Sequence, residues 1–416
     1  MKKLQLLFLT TILALAFSLL LSCSEKDENS SSSGSGTSSN TVSGYVQKGP
    51  FIQGTVITVW ELDSSLVQTG RTFIGTIDDN TGTFNARGNV VSPYVELSAV
   101  GYYFNEVSGS LSTAPLTLQA LSDLNDNSSV NVNLMTHLEK KRVEYLIDAG
   151  STFTTAKSQA QTEIMKIFNI ENVSLGSSET LNISKSGDGN AVLLAISAIL
   201  QSDKTEAELT ELLSTINTDI RTDGTLDSTT TKATLATAME YLKTRHIGDV
   251  TIRDNIEGRY SNLGVSATIP AFESYAYKLD TTAPTVDNST PSDSATNFTG
   301  NFIVTFSEIM DKTTFTTNTN TVCSPPPGSP SCTGTCTGTF QVSSDDFDTC
   351  VESTAINASE LASLFTFSNS YKTVTIGKGV GSCSGCPTNY KFRVTSGVTD
   401  LAGNSVSMTA ISFTNN

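Results

Sequence analysis

DTTAPTVDNSTPSDSATNFTGNFIVTFSEIMD, residues 280–311, is where the chain changes character. Upstream, apolar residues recur at helical spacing. From this stretch onward the chain turns β-rich to residue 416. Working back from the junction, a second change of period falls near residue 114, and the chain before it again reads as strands.

The middle of the chain carries the helical period. Leu134, Leu138, Tyr145 and Leu146 fall on one side of a helix, and Ala156, Ala160, Ile164, Ile167 and Phe168 do the same one helix later. Thr205 and Glu208 form a capping box ahead of the stripe Leu209, Leu212, Leu213, Ile216 and Ile220, which stops before Gly224. Residues 190–201 and 231–242 are helical between and after these. A helical domain over 114–280 is the expectation.

Residues 42–113 hold TVSGYVQKG, TVITVWELD, GRTFIGTIDD and YVELSAVGYYF, β-branched and aromatic runs separated by turn formers. In DDNTG (78–82) the Asx residues and Gly make a turn ahead of an inward-pointing Phe84. The opening VSGYV (42–46), a later Gly-Thr-Val and TIDDNTGTF (76–84) resemble the carboxypeptidase-regulatory, or transthyretin-like, sandwich modules of exported bacterial proteins.

The C-terminal region resembles a second family. DTTAPTV (280–286), TPSDSA (290–295), FIVTFSEIMD (302–311) and VTDLAGN (398–404) stand in the order found in the bacterial Ig-like domain of surface-layer and adhesin-type proteins. The resemblance implies a β-sandwich over 281–416, used as a spacer or ligand-presenting module. The departure is an insertion at 316–338 containing CSPPPGSPSCTGTC, a Pro- and Gly-rich loop. The fold class expected is therefore multidomain: β-sandwich, α-helical domain, Ig-like β-sandwich.

The chain opens with Met1, Lys2 and Lys3 and a nearly continuous apolar run over 4–21, the charged and apolar segments of an export signal. LLSC (20–23) resembles a bacterial lipobox, with Leu21 larger than the commonest residue at that place. The resemblance implies cleavage after residue 22 and a lipid, palmitate included, on Cys23. Residues 24–40 are Ser, Gly, Asn and Thr with Lys26 and three acids, and offer no apolar surface to offset the entropy of ordering. They read as a tether, with a coil reach of about 25 Å.

A length of 416 residues exceeds what one core usually serves, which fits several domains. The net charge of −16, with no run of Lys and Arg, excludes nucleic acid as a partner and leaves the lipid on Cys23 as the attachment to the membrane.

The six remaining cysteines, Cys323, Cys332, Cys336, Cys350, Cys383 and Cys386, all fall in the last domain. An even count in an exported domain reads as disulfides, with the pairing open. Cys383 and Cys386 have zinc-knuckle spacing, but an oxidising compartment favours bridges, so no metal is expected. His137-Leu138-Glu139 with that pair is a coincidental likeness to the zinc-deaminase signature, because Ser382 stands where that signature needs proline and the two parts lie far apart in the chain. The elbow-like spacing around Cys383 lacks the helix it needs. His137 and His246, the two histidines, sit among Lys, Arg and Glu and are expected on the solvated surface. Asp123 to Asn127 opens like an EF-hand loop but lacks the glycine and the closing glutamate, leaving an Asx turn; Asp345, Asp346 and Asp348 read as an acidic loop.

No phosphate loop, dinucleotide fingerprint or HExxH is present. The expectation is a non-enzymatic envelope lipoprotein of the outer membrane or cell surface, a scaffold or adhesin-like binder of protein or glycan, without cofactor. The alternative is an envelope-anchored hydrolase with paired carboxylates in the helical domain, since such a pair needs no sequence motif.

Overall fold

The computed structural model describes residues 41–416 except 127–128, 244–250, 299, 319–332, 352–363, 370, 378–387 and 415–416. Nine strands come first: β1 (Thr41–Gln47), β2 (Val56–Leu62), β3 (Gln68–Thr76), β4 (Thr83–Arg87), β5 (Tyr94–Gly101), β6 (Phe104–Asn105), β7 (Ser110–Leu111), β8 (Leu116–Asp123) and β9 (Val132–Asn133). Seven described helices follow: α1 (Leu134–Asp148), α2 (Phe153–Ile167), α3 (Asp188–Gln201), α4 (Glu206–Asp219), α5 (Thr229–Leu242), α6 (Thr251–Asn262) and α7 (Glu273–Ala276). The rest is β10 (Val286–Thr290), β11 (Phe302–Phe306), β12 (Thr333–Gly334), β13 (Phe340–Ser343), β14 (Cys350–Val351), β15 (Phe365–Ser368), β16 (Thr373–Ile376), β17 (Asn389–Val394) and β18 (Ile411–Thr414). The order is β, α, β with an Ig-like C-terminal region, as the sequence pattern predicts.

The first strands form two larger sheets, ordered β4-β1-β9 and β3-β2-β5-β8, and a β6-β7 ribbon. Alternation places Val42 and Val46 of β1, Ile57 and Val59 of β2, and Val95 and Leu97 of β5 on inward faces. β8 and β9 lie beyond residue 113, so the sheets reach into the stretch whose sequence reads as the start of the helical domain. One core then runs on without a break: Leu118 and Ala120 of β8 share it with Leu134 and Leu138 of α1 and with α3. Every residue of α3 from Ala191 to Gln201 is buried, which marks it as the central helix. A satellite cluster of Leu62, Leu121, Val143, Leu146, Ala156 and Ala160 ties the second sheet to α1 and α2.

Helix ends follow local chemistry. Asn133 caps α1, accepting from Thr136 N at 3.0 Å, while Thr136 Oγ1 accepts from Asn133 N at 2.9 Å. Thr205 and Glu208 make the predicted capping box of α4. No helix among the described residues is long and apolar enough to cross a membrane.

The C-terminal region has its own core. Sheets β10-β11-β16-β15 and β13-β17-β18 share a cluster in which Phe302 touches Phe298, Phe340, Phe392 and Phe413 at centroid distances of 5.3, 5.2, 5.2 and 5.6 Å. Cys336 and Cys350 form a disulfide, with Cα atoms 5.0 Å apart, that staples the β12–β14 ribbon.

Candidate functional site

Where the helical and C-terminal regions meet, a cleft of about 470 Å³ opens. One wall comes from α6 and α7: Arg253, Ala271, Glu273, Ser274 and Tyr277. The other is the segment after β11, Ile309 to Thr313, with Tyr371 and Leu401. Asp311 shapes that wall by accepting from Thr313 N at 2.9 Å. Arg253 is committed to structure: it grips Glu273 through Nε (2.9 Å) and Nη2 (2.7 Å) and donates to the carbonyls of Ile269 (3.0 Å) and Pro270 (2.9 Å). Lys312 Nζ lies 5.6 Å from the Tyr371 ring centroid, and that ring is 46 % exposed. Tyr277 is buried, and its hydroxyl has no hydrogen-bond partner. Burial, then the nearby carboxylates of Glu273, Glu308 and Asp280, push its phenol far above the ordinary range. It stays a neutral donor.

Next to Tyr277, behind the same wall, lies a buried ion cluster. Lys243, one residue past α5, reaches Asp280 Oδ2 at 2.6 Å and pairs with Glu308 Oε2. Oxygens of Asp280, Glu308 and Asp400 lie within 4.8 Å of one another. Asp400 is held by its own turn, accepting from Gly403 N (2.7 Å), Asn404 N (2.8 Å) and Asn404 Nδ2 (2.9 Å); Gly403 supplies the positive φ of +97° that the turn needs. Asn404 Nδ2 also donates to the Asp280 carbonyl at 3.1 Å.

Burial pushes Glu308 up to about 7, against the pull of Lys243. For Asp280, burial works upward too, but bonds from Lys243 and Thr282 N hold it below the usual carboxylate range. Burial lowers Lys243, yet its bonds to Asp280 and Glu308 outweigh that and keep it raised. The lysine ammonium already sits where a cation would bridge Asp280 and Glu308, so the cluster reads as an ionic latch. Apolar contact reinforces it: Ile309 belongs to the core of the helical region, and Leu401 and Ala402 pack against that core.

A second cavity, about 330 Å³, is the place to look for paired carboxylates. Glu139 and Glu179 line it, but one lysine holds both: Lys157 Nζ is 2.5 Å from Glu139 Oε2 and 2.9 Å from Glu179 Oε1. Ser178 Oγ donates to Glu139 Oε1, and Ser177 Oγ to Glu179 Oε2 at 2.6 Å. Burial opposes the charge on Lys157, but Glu139 and Glu179 more than compensate and raise it well above its ordinary value. Burial raises Glu139. Each carboxylate oxygen of Glu139 and Glu179 has a donor, the arrangement of a structural strut.

Of the residues singled out in the sequence, Cys336 and Cys350 are joined, while Cys23, Cys323, Cys332, Cys383, Cys386 and His246 lie outside the described residues. His137 corrects the expectation of a solvated histidine. Its Nδ1 is buried without a partner, and burial, with Lys140 and Lys141 adding, pushes the ring down to about 4, so it is neutral at pH 7. Asp123 forms an Asx turn, accepting from Asn125 N at 2.9 Å. Asp345 closes its loop on Ser343 and Thr349, and Asp346 pairs with Lys391 at 2.6 Å. Glu308 and Asp400 sit inside the motifs SEIMD and DLAGN. Those motifs point to the fold but not to the partners that Lys243, Asp280 and Tyr277 bring from elsewhere.

Residues 280–415 match the family described as bacterial Ig-like domain. Fold and match together define a multidomain protein with an Ig-like module at its C-terminal end. Among solved structures the chain is similar to the crystal structure of the S-layer protein rSbsC(31-844), at 15% identity and a TM-score of 0.19, covering 68% of this chain and 44% of that one. The chain thus spans less than half the length of that S-layer protein, and a TM-score of this size does not amount to a shared fold. No curated protein matches the chain.

Proposed function

We propose that this protein is a non-catalytic lipoprotein of the cell envelope, anchored through lipid on Cys23, that carries a binding face clear of the membrane. In this reading residues 24–40 are the tether, the first sheets are a carboxypeptidase-regulatory-type sandwich, and the Ig-like module presents a protein or glycan ligand at an outer-membrane or cell-surface location. The observation that carries it is the latch of Lys243 with Asp280 and Glu308. A module fixed to its neighbour by buried ion pairs and by Ile309 transmits position, as a scaffold must, and sets Tyr277 and Tyr371 in one cleft at the seam. The ion-paired state of Glu139 and Glu179 argues against the hydrolase alternative, because a carboxylate locked on Lys157 has no free role as acid or base.

The test is made on whole cells. Cys23→Ala should leave an unprocessed precursor and abolish labelling by a fatty-acid analogue, and protease added to intact cells should remove the Ig-like region of the native protein. Unchanged labelling in the variant would end the lipoprotein reading. Full protection in intact cells, with cleavage after lysis, would end the surface reading.

A further inference from the structure

Lys48 and Glu106 are the two most deeply buried charged partners in the described structure, with neither side chain exposed. The sequence turns Lys48 inward: Gly49 and Pro50 follow it, Gln47 bridges to Pro50, and Phe51 N returns to Val46 O at 3.1 Å. Phe104 N donates to Pro50 O at 3.0 Å, which brings the turn after β6, and with it Glu106, against the turn after β1. A Cβ on Gly49 would fall 1.9 Å from the Phe104 carbonyl oxygen, so only glycine permits this approach. From the helical side, Ser197 of α3 places its Oγ 2.8 Å from Glu106 Oε1 and 2.9 Å from the Lys48 carbonyl.

The polar inventory of this site does not close as an ion pair. An ammonium brings three donors, and among the described residues the hydrogen-bond acceptor that meets Lys48 Nζ is Glu106 Oε1, with the Tyr103 ring centroid 5.5 Å away. Glu106 Oε2 is buried with no donor. Neutral groups suit a site with so few partners better than two charges. Burial also holds Lys48 below its ordinary value despite the adjacent carboxylate, so the amine form is accessible.

We infer that Lys48 and Glu106 are the site of an intramolecular amide cross-link formed within the folded protein. A proton passes from Nζ to Oε1, leaving a neutral amine beside a carboxylic acid. The nitrogen lone pair forms a bond to Cδ while the Cδ–Oε1 bond breaks. Oε1 departs as water, carrying that proton and a second from Nζ, and Oε2 remains as the amide carbonyl. No oxidant or co-reactant is consumed. Ser197 acts as a positioning residue by holding the departing oxygen. The product keeps one donor and one acceptor in place of three donors and two oxygens.

The cross-link spans 58 residues and lies just beyond β1, the strand that follows residue 40. Tension entering from the N-terminal side could peel β1 but would pass from Lys48 directly to Glu106, sparing the residues between them.

Intact-mass spectrometry of the folded, then denatured and reduced, full chain tests this. The expected mass is lower by one water than that of the same mature chain, signal removed and Cys23 acylated, without the cross-link, with a digest product joining the peptides of Lys48 and Glu106. Lys48→Met and Glu106→Leu should each restore the full mass of their own mature chain, and Ser197→Ala should lower the cross-linked fraction. A folded wild-type chain at full mature mass, with the Lys48 peptide recovered free, would overturn the inference, whatever the variants do.

Discussion

Lys48 at the end of β1 and Lys243 at the seam with the Ig-like region are both buried, and their surroundings drive them in opposite directions. Lys48 meets one carboxylate and is pushed down by burial; Lys243 meets three, Asp280, Glu308 and, at 3.8 Å, Glu240, with Asp400 beside them, and is held up. Lys157, between Glu139 and Glu179, behaves like Lys243. Burial alone therefore does not set the state of a lysine. The number of acceptors around the nitrogen does, and it separates a site that stays ionic and structural from one with a chemical alternative.

The comparison predicts a ladder of losses. Lys243→Met removes the cation from between Asp280 and Glu308, with Asp400 beside them, and should cost the most, at the upper end of about 3–5 kcal/mol for orphaning buried charge, measured by chemical denaturation. Lys157→Met strands two carboxylates and should fall at the lower end of that range. If the Lys157 variant proves as stable as wild type, the strut reading of Glu139 and Glu179 fails and a catalytic role for them regains ground.

Replacing Cys336 and Cys350 together by Ala should cost about 3 kcal/mol, because the bridge closes a short loop in the unfolded chain. That loss should appear first as faster hydrogen exchange at β12 and β14, and reach the Lys157 strut only as the coupled unit unfolds.

Glu308 gives a smaller, pH-dependent effect. Its folded value, about 7, lies above the unfolded one, so between roughly pH 4.5 and 7 the folded state binds more protons and stability falls as pH rises. Asp280 runs the other way: it is held below its ordinary value, and its contribution is lost as pH drops below about 4. The seam should be firmest in mild acid. Glu308→Gln should flatten the decline between pH 4.5 and 7; an unaltered slope would place its source elsewhere.

Much of the architecture was legible from periodicity. Leu209, Leu212, Leu213, Ile216 and Ile220 announced α4 because a surface helix must bury one stripe, and Thr205 with Glu208 announced where it begins. FIVTFSEIMD and VTDLAGN carried the Ig-like region. The sites were much less legible. Nothing beside Lys243 in the sequence marks it as buried, because Asp280 and Glu308 reach it only after the helical and β regions dock. His137 stands among charged neighbours yet has its Nδ1 buried, since a helix places adjacent residues on different faces. QKGP at 47–50 read as the end of a strand, and the inward turn of Lys48 depends on Phe104 arriving from a distant turn.

The central claim is that the Ig-like module is fixed to the helical region through Lys243, so that the two act as one support. Scanning calorimetry of residues 41–416, wild type against Lys243→Met, measures this directly. Coupled unfolding in the wild type should separate in the variant, with the transition of the Ig-like region moving away from that of the rest. Superimposable traces for the two proteins would contradict the claim and leave the module a loosely joined bead.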